Sequence, residues 1–123
     1  MFEEIKTRLR GSFAPIITPF HENGSIDFET LEDLINWQIE SGSHGISVTG
    51  TTGEPSSLTV EERVQVMENA AKTINGRVPF LHGTGSTNHA ETLHLTKKAA
   101  DLGVDAALVI VPYYNRPSTA CTI

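Results

Sequence analysis

The stretch VTGTTGEPSSL, residues 48–58, links a β-branched run to an amphipathic helix through a turn with two glycines. Thr51 and Thr52 stand between those glycines, and Thr59 with Glu62 forms the pattern of a helix capping box. Two adjacent hydroxyls beside backbone N–H groups suit the binding of a carboxylate, and threonine hydroxyls can relay protons. The stretch therefore predicts a buried strand, a substrate-binding turn and a helix. A purely structural glycine turn is the alternative.

The same strand-and-helix unit recurs along the chain. Apolar or β-branched runs begin near residues 13, 45, 78 and 105, and the segments between them have helical periodicity. A βα unit of about 30 residues is typical of a parallel sheet with right-handed crossovers. The sequence therefore predicts an α/β fold with four parallel strands and three helices. An open flavodoxin-like sheet and a (βα)₈ barrel fit this periodicity equally well.

The three predicted helices have recognisable starts and apolar faces. Asp27 caps the first, and its inner face consists of Leu31, Leu34, Ile35 and Ile39. The inner stripe of the second consists of Val60, Val64, Met67, Ala71 and Ile74. Thr87 or Asn88 starts the third, which ends at Gly103. The segment 106–111 is apolar at every position, which predicts a fourth strand covered on both faces.

Polar residues follow the predicted strands at their carboxyl ends. Thr18, the GTTGE turn (50–54), the HGTG turn (82–85) and the aromatic pair at 113–114 each occupy such a position. In parallel α/β folds these ends meet at one rim, where substrates bind. His82 is interpreted as a hydrogen-bonded structural histidine, and the five histidines have no metal-ligand spacing.

Composition limits the classes of partner. The chain has 9 basic and 15 acidic residues and a net charge of −6, which argues against a nucleic-acid partner. No apolar stretch approaches the roughly 20 residues of a membrane span. The single Cys121 has no internal disulfide partner, which fits a reducing compartment. We expect one soluble, cytoplasmic domain that binds no membrane.

The order of these motifs resembles a known family. GTTGE, GTG and PYYNRP (112–117) each follow a predicted strand, in a pattern that extends to Ser118. The pattern is similar to the dihydrodipicolinate synthase and N-acetylneuraminate lyase family, and GTTGE with YYN resembles the synthase branch. The resemblance implies a (βα)₈ TIM barrel, of which this chain covers about the first four strands and three helices. It also implies a Schiff-base (class I) aldolase or lyase that acts on pyruvate or a related 2-oxo acid without a cofactor or metal.

The resemblance implies a role for four side chains. Thr51 resembles the hydroxyl of a catalytic proton relay, and Thr52 resembles the neighbour that binds the pyruvate carboxylate. Tyr114 resembles the tyrosine that one subunit lends to the relay of its partner, and Tyr113 corresponds to a residue of the same interface. A homodimer or homotetramer is therefore expected for the full-length parent.

The implied reaction is that of 4-hydroxy-tetrahydrodipicolinate synthase in lysine biosynthesis, in which pyruvate condenses with an aldehyde second substrate, aspartate semialdehyde. A 2-oxo sugar acid aldolase or dehydratase of the same family is the alternative. Feedback inhibition by lysine is not carried over, because Glu91 matches the acidic inhibitor contact but Arg63 replaces the expected histidine.

The nucleophile of the family is a lysine near the end of the sixth strand. The lysines of this sequence are Lys6, Lys72, Lys97 and Lys98, all in the N-terminal segment or on predicted helices. A (βα)₈ barrel needs about 250 residues, so residues 1–118 correspond to its N-terminal half. A non-catalytic truncated fragment is therefore a further alternative, and we expect it to be marginal or to aggregate unless two copies pair.

Residues 119–123 depart from the family pattern. Codons for Ala-Cys-Thr-Ile, regrouped one base earlier, admit Gly-Leu-Tyr-Asp, which is close to the usual family continuation. Our hypothesis is that this tail is an out-of-frame reading, in which case Cys121 has no function. A natural short paralogue is the competing explanation.

Overall fold

The computed structural model describes residues 2–121 and contains one parallel sheet with strand order β1-β2-β3-β4. The strands are β1 (Phe13–Pro15), β2 (Gly45–Val48), β3 (Phe80–Gly83) and β4 (Ala106–Leu108). The helices are α1 (Phe2–Arg8), α2 (Phe28–Glu40), α3 (Val60–Ile74) and α4 (His89–Asp101), with short 3₁₀ turns at Thr51–Gly53, Pro55–Ser57 and Thr119–Cys121. The predicted α/β fold with four strands and three connecting helices is confirmed.

The structure adds an N-terminal helix that was not predicted, and it describes only part of the predicted C-terminal tail. The N-terminal helix α1 was not predicted, and an ion pair between Arg8 Nη1 and Asp105 Oδ1 at 3.0 Å attaches it next to β4. Within the predicted tail, Thr119–Cys121 forms a single turn, and residues 122–123 lie outside the described residues. No helix within residues 2–121 is long and apolar enough to span a bilayer.

The helices begin where their capping residues predict. The Asp27 carboxylate accepts from the Thr30 N–H at 3.0 Å, and the Asn88 side chain accepts from the Glu91 N–H at 3.1 Å. At α3 the Glu62 N–H donates to Thr59 Oγ1 at 3.1 Å, and the Thr59 N–H donates to the Glu62 carboxylate at 2.7 Å. Each such cap satisfies a backbone donor that has no partner inside its helix.

The core lies between the sheet and the three connecting helices. Leu31 and Ile35 of α2 are fully buried, as predicted, and Leu34 and Ile39 pack at their edge. The buried line of α3 is displaced from the predicted one and consists of Arg63, Val66, Met67, Ala70 and Ile74. Because α3 packs against α2 and α4 as well as the sheet, its buried arc is wider than a simple stripe, and Val60, Val64 and Ala71 occupy its margin.

The prediction that segment 106–111 is a strand covered on both faces is wrong for the described residues. The strand ends at Leu108, and residues 108–111 are between 41% and 52% exposed. The elements that would cover them do not occur within residues 2–121, where β4 is the last strand of the sheet. An apolar run of this kind indicates a covered strand, but it does not specify which segment supplies the cover.

The ends of β2 and β3 approach each other closely. A Cβ built on Gly83 would lie 2.0 Å from the carbonyl oxygen of Thr49, so only glycine fits there. Thr49 adopts a left-handed φ of 52°, which is uncommon for a β-branched residue. Its Oγ1 donates to the Gly83 carbonyl oxygen at 3.0 Å and lies 3.0 Å from His82 Nε2. These contacts fix the direction in which the chain leaves β2.

His82 is a buried structural histidine, as predicted from its position. It is fully buried, and burial followed by the nearby positive charge of Arg63 lowers its pKa to about 3. The imidazole is therefore neutral at physiological pH and lies within hydrogen-bond distance of the Thr49 hydroxyl. His89 and His94, in contrast, are exposed on α4.

Replacing Gly83 by alanine should destabilise the fold. The new Cβ meets backbone rather than a flexible side chain, so β2 or β3 must shift, and we expect Gly83→Ala to lower the free energy of unfolding by about 3 kcal/mol. Gly50→Ala is the matched control, because an added Cβ there has no neighbour closer than 3.8 Å and Gly50 has a negative φ of −72°. Urea unfolding of the two variants measures the change in the free energy of unfolding. Equal unfolding midpoints for Gly83→Ala and Gly50→Ala would contradict the close approach of β2 and β3.

His82 should make the fold sensitive to acid. Its unfolded pKa is near 6.5 and its folded pKa about 3, so between these values the unfolded state binds one more proton and stability falls as pH decreases. We expect wild type to lose up to ~1.4 kcal/mol per pH unit relative to His82→Gln across that window. Urea unfolding from pH 7 to pH 4 measures the difference. His89→Gln, at an exposed position, should follow wild type, and a His82→Gln variant with the wild-type pH profile would refute the assignment.

Candidate functional site

The GTTGE turn presents two free hydroxyls at the carboxyl end of β2. Thr51–Gly53 forms a 3₁₀ turn, and the Glu54 N–H closes it by donating to the Thr51 carbonyl oxygen at 3.1 Å. Glu54 itself adopts a left-handed φ of 51°. Thr51 and Thr52 are exposed, and neither hydroxyl has a hydrogen-bond partner among residues 2–121. Both hydroxyls are therefore available to a ligand.

A buried threonine attaches this turn to β1. Thr18 Oγ1 donates to the Gly53 carbonyl oxygen at 2.6 Å, and Thr18 is only 6% exposed. A Cβ on Gly53 would lie 3.3 Å from both Thr18 Oγ1 and the Ile16 carbonyl oxygen, so a larger residue would crowd the contact. The turn is therefore held on one side by the segment that follows β1 and on the other by the contact between Thr49 and Gly83.

Arg63 of α3 forms a buried cationic centre next to the turn. It is 5% exposed, its Nη2 donates to the Gly83 carbonyl oxygen at 2.6 Å, and its buried Nε has no partner among residues 2–121. Burial lowers the pKa of Arg63, while the nearby Glu91 and Tyr113 oppose this change. Glu91 is held in place by Ser86 Oγ, which donates to its carboxylate at 2.7 Å. The pKa of a guanidinium is so high that Arg63 remains positively charged at physiological pH although it is buried.

A cleft of about 680 Å³ lies between the GTTGE turn, the start of α3 and the chain after β4. Thr51 and Tyr113 both line it, together with Arg63 and Glu91. The structure thus brings Thr51, which is expected to be catalytic, into the same cleft as Tyr113, which is expected at an interface. The other two expected site residues, Thr52 and Tyr114, are not part of the cleft lining.

Tyr114 is unusual in backbone and exposure. Its side chain is fully exposed, and its φ of 64° lies in the left-handed region, which an aromatic residue seldom occupies. Tyr113 is 47% exposed. Among residues 2–121, the fully exposed Tyr114 side chain makes no contact that would explain this backbone conformation.

No lysine lies at this rim. Lys72 and Lys97 are exposed on α3 and α4, Lys98 Nζ pairs with Glu68 at 3.0 Å, and Lys6 belongs to α1. Among residues 2–121, no group of three or more histidine, cysteine, aspartate or glutamate side chains is placed to hold a metal ion. The described residues therefore supply no amine nucleophile at the strand ends.

Sequence reasoning did not predict the structural roles of Thr49 and Arg63. Thr49 follows a strand like any other rim residue, and only the neighbouring strand shows that it is buried. Arg63 falls on the inner side of α3, where an arginine is read as a surface residue unless a buried carbonyl is known to receive it. The signal for Arg63 was its position between the apolar residues Val60 and Met67 of the helix.

Comparison with known proteins identifies the family. The model of the dihydrodipicolinate synthetase family matches residues 8–122. The 4-hydroxy-tetrahydrodipicolinate synthase of Psychrobacter arcticus is 46% identical over 116 residues, which cover 94% of this chain and 38% of that relative. The chain thus spans under two fifths of the length of the curated relatives that it matches.

Solved structures agree with this comparison. The chloride-inhibited dihydrodipicolinate synthase from Acinetobacter baumannii, complexed with pyruvate, is 43% identical with a TM-score of 0.88; the match covers 92% of this chain and 39% of that one. The N-acetylneuraminate lyase from Mycoplasma synoviae is 34% identical with a TM-score of 0.90, and the match covers 94% and 40% of the two chains. The fold is therefore that of the first four strands of the family's barrel, and the chain belongs to the dihydrodipicolinate synthetase family.

Proposed function

We propose that this chain forms the pyruvate-binding and proton-relaying half of a Schiff-base lyase, and that the full-length parent is a 4-hydroxy-tetrahydrodipicolinate synthase of lysine biosynthesis. The observation that carries the proposal is the pair of free hydroxyls of Thr51 and Thr52, held on a doubly anchored turn at the carboxyl end of β2. Identity of 46% to a synthase over nearly the whole chain supports the same reading.

The proposed chemistry needs one residue that this sequence does not supply. A lysine amine condenses with the pyruvate ketone and releases water, and loss of a methyl proton then gives an enamine. The enamine carbon attacks the aldehyde of aspartate semialdehyde and forms the new carbon–carbon bond. Thr51 and Tyr114 move the protons, and Thr52 binds the pyruvate carboxylate. The lysine belongs to a later strand of the barrel, so the 123-residue chain alone has no such activity.

Tyr114 is proposed to act in the site of a partner subunit. Its full exposure and left-handed backbone support this role, because a partner contact would account for both. Tyr113 lies beside it and lines the same cleft as Thr51, which supports a proposed interface role for Tyr113 near the proposed relay. The full-length parent is accordingly a homodimer or homotetramer, which we place in the cytoplasm.

Residues 1–118 form the half barrel of this proposal, and 119–123 form a separate tail whose sequence we attribute to an out-of-frame reading. A 2-oxo sugar acid aldolase or dehydratase is the second candidate, and the structural likeness to an N-acetylneuraminate lyase favours it. The higher identity to synthases, 46% against 34%, favours the first. A non-catalytic fragment remains the third reading for the short chain by itself.

A chimera tests the relay directly. Residues 1–118 of this chain would replace the corresponding part of the Psychrobacter arcticus synthase, so that the relative supplies the remaining strands. We expect pyruvate and aspartate semialdehyde to be consumed, and Thr51→Val and Tyr114→Phe each to lower kcat by about 100-fold or more, because each removes a proton-transfer group. Thr7→Val, the same chemical change on the exposed face of α1, should leave kcat unchanged.

Mixing the two inactive chimeras tests whether Tyr114 crosses between subunits. In a mixed dimer, the site with Thr51 intact receives Tyr114 from the other subunit, while the second site loses both groups. Random reassortment should therefore restore about a quarter of the wild-type kcat. A mixture as inactive as its components would show that Tyr114 acts within its own subunit or not at all, and full activity of the separate variants would refute the relay.

A further inference from the structure

Arg63 is a buried cation with a single directional contact. It is 5% exposed, and among residues 2–121 the Gly83 carbonyl oxygen is the only hydrogen-bond acceptor of its guanidinium. Taking a cation out of water costs free energy, and the charge of the nearby Glu91 offsets only part of this cost. An apolar side chain of similar length would fill the same space without that cost. Space filling alone therefore does not account for an arginine at this position.

The Gly83 carbonyl oxygen connects α3 to the end of β2. It accepts from Arg63 Nη2 at 2.6 Å and from the Thr49 hydroxyl at 3.0 Å, so both of its lone pairs are used. The bond from the charged guanidinium is the stronger of the two. Thr51, the first hydroxyl residue of the GTTGE turn, follows Thr49 by two positions. The orientation of this carbonyl therefore affects where the turn leaves β2.

The Thr49 hydroxyl has one proton and two carbonyl acceptors within reach. The Val48 carbonyl lies at 2.8 Å and the Gly83 carbonyl at 3.0 Å, but only the bond to Gly83 crosses from β2 to β3. Gly83 and Arg63 both line the cleft. Without the guanidinium, the Gly83 carbonyl can tilt toward water in the cleft, and the Thr49 hydroxyl then bonds within its own strand. The guanidinium thus favours the bond that links the two strands.

We propose that Arg63 is a positioning residue for the GTTGE turn. It holds the Gly83 carbonyl, which holds Thr49, and this chain of contacts keeps the hydroxyls of Thr51 and Thr52 oriented toward pyruvate. Arg63 acts through these two residues and touches no substrate. Its effect on the reaction rests on the proposed function, whereas its effect on the turn does not.

Kinetics of the chimera that carries residues 1–118 test the effect on the reaction. Arg63→Met removes the guanidinium and keeps a side chain of similar length. We expect it to raise the KM for pyruvate and to lower kcat, each by about 10-fold, because a displaced turn holds the carboxylate and the relay less well. The KM for aspartate semialdehyde should not change. A general loss of folded enzyme would instead lower the apparent kcat and leave both KM values unchanged, which would overturn the proposal.

Two further variants separate the guanidinium from its location. Arg63→Lys keeps the charge but neither the reach nor the planar fork, so it should raise the KM for pyruvate by a smaller factor, about threefold. Arg77→Met is the matched control beyond the other end of α3, where Arg77 donates to the carbonyl oxygens of Thr73 and Ile74. It should leave both KM values and kcat unchanged. Wild-type KM values for pyruvate in both Arg63 variants would overturn the proposal.

Hydrogen exchange of the 123-residue chain tests the effect on the turn without any reaction. The Gly53 N–H donates to Gly50 and the Glu54 N–H to Thr51, so both amides report on the turn. In Arg63→Met they should exchange about 10-fold faster, because the turn opens more often once its support is removed. Amides of the sheet should keep their wild-type rates, and Arg77→Met should change neither set.

The two experiments fail in different ways. An inactive chimera, or full activity after Thr51→Val, would refute the proposed function, and the exchange rates would then decide the role of Arg63 by themselves. Wild-type exchange of the turn amides in Arg63→Met would overturn the positioning role. So would an equal increase at all amides of the chain, because it would show only a general loss of stability.

Discussion

The contact between the backbone of Thr49 and the bare Cα of Gly83 determines the geometry of the candidate site. A side chain at residue 83 would overlap the Thr49 carbonyl, so β2 and β3 approach this closely only with glycine in β3. The close approach turns Thr49 into a left-handed conformation, buries its hydroxyl against His82 and sends the chain outward into the GTTGE turn. Thr18 then holds the far end of the turn through Gly53. The exposed hydroxyls of Thr51 and Thr52 owe their positions to these buried contacts.

Local rules were enough to predict that the sheet has four strands joined by three helices. Caps at Asp27, Thr59 and Asn88 and the β-branched runs act within a few residues, so the sequence shows them directly. The exposure of β4 and the buried arc of α3 depend on which element packs against which face, and periodicity contains no information on that. The charged helix α1 was missed because its attachment is a long-range ion pair between Arg8 and Asp105.

For the candidate site, the sequence predicted where the residues lie but not which buried contacts support them. The rim position of Thr51, Thr52 and the tyrosine pair followed from strand ends alone, whereas their roles came from resemblance and remain proposals. The burial of Arg63 had only a weak local signal, its position between Val60 and Met67, because its main support is the carbonyl of Gly83, twenty residues away. This buried cation contributes to the electrostatics of the cleft: after burial, which is the larger cause, its charge lowers the pKa of His82, and it interacts with the nearby Glu91 and Tyr113 beside the GTTGE turn.

The central claim is that this chain supplies the carboxylate-binding and relay half of a Schiff-base site and no nucleophile. The most direct test is intact-mass analysis of the purified 123-residue chain after treatment with pyruvate and borohydride, beside the chimera with the later strands. We predict an unchanged mass for the short chain and one reduced pyruvate adduct on the chimera. A single, saturable pyruvate adduct on Lys6, Lys72, Lys97 or Lys98 of the short chain would contradict the account.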